Sequence, residues 1–118
     1  LSGDGISLAL GNQAPITLTQ DTPPLAFPGD VSAAAELLGG KVTDLNAMAR
    51  RGLGYKPSMT RIDLDGETTI EKTTRFLLIH CATGATDALG AGDTLILDQN
   101  EKSPATLRGV AGLYVITF

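Results

Sequence analysis

His80 and Cys81 are the only histidine and the only cysteine of the chain, and they are adjacent. A Cys–His nucleophile pair needs thiol and imidazole within hydrogen-bond reach. The run Phe76-Leu77-Leu78-Ile79-His80-Cys81 reads as a short central strand. Neighbouring side chains on a strand point to opposite faces. The expected arrangement is a buried thiol and a half-exposed imidazole, not a dyad. Any serine triad would have to use the same His80. Gly5-Ile6-Ser7-Leu8-Ala9 lacks the second glycine and the following helix of a nucleophile elbow.

Two aspartate-glycine strings invite other chemistry. Gly90-Ala91-Gly92-Asp93 resembles the anion-hole string of ribokinase-like sugar kinases, where backbone amides gather at a helix N-terminus. Here it runs into Thr94-Leu95-Ile96-Leu97, which favours a strand, and the chain is too short for that family; a tight connecting loop is expected. Asp63-Leu64-Asp65-Gly66-Glu67 invites a calcium loop. With Gly66 at position 6, positions 1 and 12 become Arg61 and Lys72, cations where ligand oxygens are needed. No Walker loop and no dinucleotide fingerprint is present. No catalytic residue, no metal and no cofactor is expected, and the chain reads as a non-enzyme.

Composition narrows the partners. Nine Lys and Arg face thirteen Asp and Glu, a net charge of −4. Nucleic-acid binding draws on phosphate contacts by cations, so a nucleic-acid partner is not expected. Aromatics make up 4 % of the residues and tryptophan is absent; rings for stacking on flat ligands are scarce. No run approaches a membrane span of roughly 20 apolar residues, so no membrane partner is expected. One cysteine leaves no intrachain disulfide. The opening Leu1-Ser2-Gly3-Asp4, without an initiator Met, fits a processed, trimmed or partial chain.

The elements that must position any site fall into four segments. Residues 1–29, rich in Gly and Pro, read as an extended arm with short strands at Ile6-Ser7-Leu8 and Ile16-Thr17-Leu18. Residues 30–52 read as a helix. Asp30 serves as its N-cap, Arg50 and Arg51 stand in its last turn, and Gly52 stops it. Gly39-Gly40 interrupts it, each at a cost of about 1 kcal/mol relative to Ala. Residues 53–60 form a linker. Residues 61–118 read as a small antiparallel β sandwich or barrel, with a hairpin turn at Asp65-Gly66, a return strand over 68–74, and strands at 76–81, 94–97 and 113–118. The expected class is α+β, mainly β. Arg50, Arg51, Lys56 and Arg61 form a local basic cluster, which suits either an acidic neighbour or the helix C-terminus.

Val31, Ala35, Leu38, Val42, Leu45 and Ala49 recur at intervals of 4, 3, 4, 3 and 4. That is the 3.5-residue seam of a coiled coil, and these residues are the expected oligomer interface. Leu37, Ala34 and Met48 widen the apolar face, so packing of the helix on its own β domain remains the alternative.

The Pro-rich arm, the helix carrying Lys41-Val42-Thr43-Asp44-Leu45-Asn46-Ala47-Met48 and the small β module together resemble phage head-fibre and capsid-decoration proteins over about residues 28–55. The resemblance implies a virion structural protein. It would be a homotrimer seated on a capsid or tail protein, and it would lack catalysis. The alternative is a glycan- or peptide-binding β module of an extracellular or cell-surface protein, with Tyr55, Phe76 or Tyr114 lining a groove.

Overall fold

A computed structural model describes residues 2–118. Among the described residues it contains seven strands in two sheets and no helix. The fold class is all-β rather than α+β. Chain contacts divide it into two compact units, Leu1–Met48 and Ala49–Phe118.

The first unit holds β1 (Ile6–Leu10), β2 (Ile16–Leu18) and β3 (Ala33–Leu37), in the order β2-β1-β3 with both pairs antiparallel. Leu8 and Leu10 are buried. The segment expected as a helix over residues 30–52 supplies β3 instead. Ala33-Ala34-Ala35-Glu36-Leu37 lies in register with β1, Ala35 opposite Leu8 and Leu37 opposite Ile6. Two adjacent glycines cost a helix about 2 kcal/mol and leave pieces below the length at which an isolated helix holds. The backbone then finds better partners on β1, a tertiary gain that overrides the propensity of alanine.

The glycines themselves have a different use. The Asp4 carboxylate accepts the Gly40 N–H at 2.8 Å. A side chain at Gly39 would meet the Asp4 Cβ and Cγ, each 2.8 Å from where its Cβ would stand. Gly39-Gly40 thus makes room for Asp4. The strand exit is held further by Leu38 N–H to Gly5 C=O at 3.0 Å.

The second unit holds β4 (Ser58–Ile70), β5 (Leu77–Thr86), β6 (Thr94–Leu97) and β7 (Ala105–Thr117), in the order β4-β7-β5-β6, all antiparallel. Asp65-Gly66 does not turn the chain. β4 runs through it for 13 residues beside β7, and Gly66 lies opposite Gly109. Gly66 and Gly109 both have positive φ, 116° and 151°. At Gly109 a Cβ would run into the Ala85 carbonyl of β5, a close backbone approach that glycine permits, whereas nothing lies within 4 Å of a Cβ at Gly66. β5 likewise extends beyond the strand expected over 76–81, to Thr86, with a bulge between Cys81 and Thr83.

One face of this sheet carries the core: Leu64, Leu77, Ile79, Cys81, Leu107, Ala111, Leu113 and Val115 are buried together with Leu89 and Ala105. Ile62, Ile70, Leu95 and Leu97 pack on its margin. No aromatic ring belongs to this cluster. It rests on aliphatic side chains, as a sequence without tryptophan requires.

Candidate functional site

The other face of the four-stranded sheet is where polar side chains meet. Directly opposed residues on antiparallel strands project to the same face. Arg61 on β4 lies opposite Tyr114 on β7. Tyr114 lies opposite His80 on β5, and His80 opposite Thr94 on β6. One row across four strands therefore reads Arg61, Tyr114, His80, Thr94. Its neighbour on one side is the row Asp63, Gly112, Thr83. On the other side lies the apolar row Met59, Ile116, Leu78, Ile96.

Hydrogen bonds tie the polar row together. His80 Nδ1 and Thr94 Oγ1 are 2.9 Å apart. Arg61 Nε donates to Asp63 Oδ1 at 2.9 Å. The Asp63 carboxylate, and less strongly the Tyr114 oxygen, hold the Arg61 guanidinium further in its charged form than usual. The Tyr114 ring is buried, while the Asp63 side chain is 73 % exposed. A buried phenol thus stands beside a charge pair whose carboxylate faces water.

Gly112 opens this face. A Cβ built there would stand 2.6 Å from Thr83 Oγ1 and 4.0 Å from Asp63 Oδ1. The carboxylate and the hydroxyl therefore converge over a bare backbone. Asp63, Thr83 and Gly112, with Leu64, Gly84, Val110 and Ala111, line an open depression of about 240 Å³. Gly84 holds β5 close to β7 here: with φ 72°, its Cβ would run into the Val110 carbonyl. The bulge places Thr83 on the polar face. Without the extra residue, Ala82 would oppose Gly112 and the hydroxyl would turn to the core.

Other sequence-singled residues fall elsewhere. Cys81 is fully buried on the core face, and its Sγ lies 3.5 Å from the Thr83 carbonyl. His80 and Cys81 are thus on opposite faces. Burial first, and the nearby Asp93 carboxylate second, push the Cys81 thiol above its ordinary value. A thiol-specific disulfide reagent is expected to leave the folded chain untouched and to titrate one thiol after unfolding. With its folded-state value raised, the thiol stabilises the fold while it is protonated. The contribution is complete below the ordinary thiol range near 8.5 and is lost as pH rises through the folded-state value.

Gly90-Ala91-Gly92-Asp93 is the tight loop before β6, closed by Asp93 Oδ2 accepting the Gly90 N–H at 2.9 Å. Asp65 and Glu67 are exposed on β4. Among the described residues, no three His, Cys, Asp or Glu side chains gather to hold a metal ion.

Tyr55 and Phe76 meet edge to face at 6.4 Å, with the Arg75 guanidinium 5.5 and 5.7 Å from their centroids. Arg75 also donates to the Tyr55 hydroxyl and, at 2.7 Å, to Gln99 Oε1. That cluster fastens three connections of the second unit. Arg50 and Arg51 are exposed in the segment before β4, and Lys56 is exposed in the same stretch.

The expected oligomer seam is dispersed. Ala35 lies in β3 and faces solvent, Val31 precedes β3, Leu38 follows it half exposed, and Val42, Leu45 and Ala49 lie in segments without helix. With no helix there is no coiled coil.

The family model for HutD matches residues 1–115. The chain belongs to the HutD family. This overturns the resemblance to phage head-fibre and capsid-decoration proteins, and with it the reading as a virion structural protein. That resemblance rested on the helix, which this HutD chain does not form. No curated protein and no solved structure matches this HutD sequence.

Sequence reasoning had handled Arg61, Asp63, His80 and Tyr114 one at a time. Thr83, Thr94 and Gly112 escaped it. Thr94 entered only as a strand residue, and no local pattern marks Thr83 or Gly112.

Proposed function

We propose that this HutD chain is a non-catalytic module that binds a small polar molecule in the setting of histidine utilisation. The observation carrying the proposal is the row Arg61, Tyr114, His80, Thr94, set across four strands beside the depression over Gly112. The HutD family is cupin-like and associated with regulation of histidine utilisation. Those two points agree on a β-sheet scaffold that presents a small ligand to polar side chains. A rigid sheet fixes donors and acceptors without further ordering cost.

The depression is smaller than the roughly 300–1,000 Å³ of pockets that take drug-sized ligands. Its size suits a metabolite of a few heavy atoms. The only His lies outside reach of any thiol, and its hydrogen-bond partner is a threonine. No nucleophile–base–orienter series runs through the row, so binding rather than turnover is the better reading. An acidic chain without a basic stripe also argues against a nucleic-acid partner.

The test is calorimetric titration with histidine and a set of small mono- and dicarboxylic acids, followed by recovery of the ligand. Saturable binding, weakened about tenfold or more in His80→Ala and in Tyr114→Phe, with the ligand recovered unchanged, is the expected result. Absence of saturable binding across the set, or chemical conversion of the ligand, would refute the proposal.

A further inference from the structure

The charge pair beside Gly112 points to one class of ligand. Arg61 and Asp63 stand two positions apart on β4 and share its polar face, with Nε and Oδ1 2.9 Å apart. Asp63 is 73 % exposed and Arg61 31 % exposed. An exposed pair of this kind contributes little to stability, so exchanging it for ligand contacts costs little. The cation is flanked by the Tyr114 hydroxyl, and the anion faces Thr83 Oγ1 across the space a Gly112 side chain would fill.

The arrangement presents a donor pole and an acceptor pole side by side over an open floor. A ligand complementary to it carries an anionic and a cationic group on one carbon. Free α-amino acids carry such a pair in their carboxylate and ammonium. Resting on the small-ligand reading above, we infer that Arg61, Asp63 and Thr83 receive the zwitterionic head of a free α-amino acid over Gly112. The ligand carboxylate accepts from the Arg61 guanidinium and the Tyr114 hydroxyl. Its ammonium donates to the Asp63 carboxylate and Thr83 Oγ1. The bare Gly112 lets the α-carbon approach the sheet, and the ligand side chain extends along the depression.

The experiment uses the whole chain and a panel of the common L-amino acids, scored by calorimetry. For the tightest binder, its decarboxylated amine and its des-amino acid are titrated next. The expected result is a loss of about tenfold or more for each analogue, since either removal leaves one pole unpaired. In Asp63→Asn the amino acid is expected to fall to the level of its des-amino analogue. Gly112→Ala is expected to weaken the amino acid, with strand content by circular dichroism unchanged.

If amine, des-amino acid and amino acid bind wild type equally, the zwitterion inference falls while small-ligand binding stands. If other small acids bind but no amino acid does, the inference falls alone. If nothing in either panel binds, both fall.

Discussion

Replacing Gly84 by alanine is expected to destabilise the second unit more than the same change at Gly92, although both residues have positive φ, 72° and 94°. Holding a non-glycine residue in the left-handed region costs roughly 1–2 kcal/mol at either place. At Gly92 nothing lies within 4 Å of a new Cβ, so that strain is the whole effect. At Gly84 the new Cβ would overlap the Val110 carbonyl and stand 3.0 Å from the Ala111 Cα. Those are backbone atoms of the central strand and cannot swing aside. β5 and β7 must separate, with loss of ladder hydrogen bonds at about 1 kcal/mol each. A total near 3–4 kcal/mol is expected for Gly84→Ala, against about 1–2 kcal/mol for Gly92→Ala. Urea unfolding monitored by circular dichroism measures the difference, with an unchanged slope showing that the unfolded state is not the cause. Equal losses in the two variants would mean that the strands do not approach closely at Gly84.

Leu113→Ala is expected to cost about 2–5 kcal/mol. Leu113 is fully buried on β7, between Ile62 of β4 and Cys81 of β5, at the centre of the core face. Truncation removes its transfer energy and leaves a cavity that the flanking strands, fixed by ladders on both sides, cannot close. Val110→Ala, on the same strand at 67 % exposure, is the matched control. Its expected change is within about 0.5 kcal/mol. Comparable losses for the two would place the core on the opposite face of β7, and the polar row would lose its position.

Much of the strand pattern was legible in the sequence. Ile6-Ser7-Leu8 and Ile16-Thr17-Leu18 alternate between turn formers, and they form β1 and β2. Thr94-Leu95-Ile96-Leu97 lies between polar turns and forms β6. The long strands were harder, because Asp65-Gly66 carries the signature of a turn. Its meaning depends on a partner strand dozens of residues away, Gly66 opposite Gly109. Local pattern cannot distinguish a glycine that reverses the chain from one inside a long strand.

The segment 30–52 misled for a related reason. Its spacing of Val31, Ala35, Leu38, Val42, Leu45 and Ala49 satisfies a heptad, and alanine favours helix. The competitor was the edge of β1, which offers backbone partners to Ala33–Leu37. Propensity summed over so few residues, and broken by Gly39-Gly40, amounts to less than a strand ladder supplies.

The site was the least legible part. Arg61, Tyr114, His80 and Thr94 lie far apart in sequence and meet through the pairing of β7 with β4 and β5 and of β5 with β6. A shift of one residue in either pairing would send half of them to the core face. The bulge after Cys81 decides where Thr83 points, and nothing local in Ala82-Thr83-Gly84 marks it. The opposite orientations of His80 and Cys81, by contrast, needed only the two-residue period of a strand.

The most direct test is a two-dimensional amide NMR titration of the isotopically labelled chain with the tightest small ligand found by calorimetry. The expected result is a set of saturable shift changes confined to Arg61, Asp63, His80, Thr83, Thr94, Gly112 and Tyr114 and their neighbours on the four strands of the second unit. Saturable shifts confined to the first unit, or to the Tyr55–Arg75–Phe76 cluster, would contradict it, because the ligand would then be held by side chains that the polar row does not include.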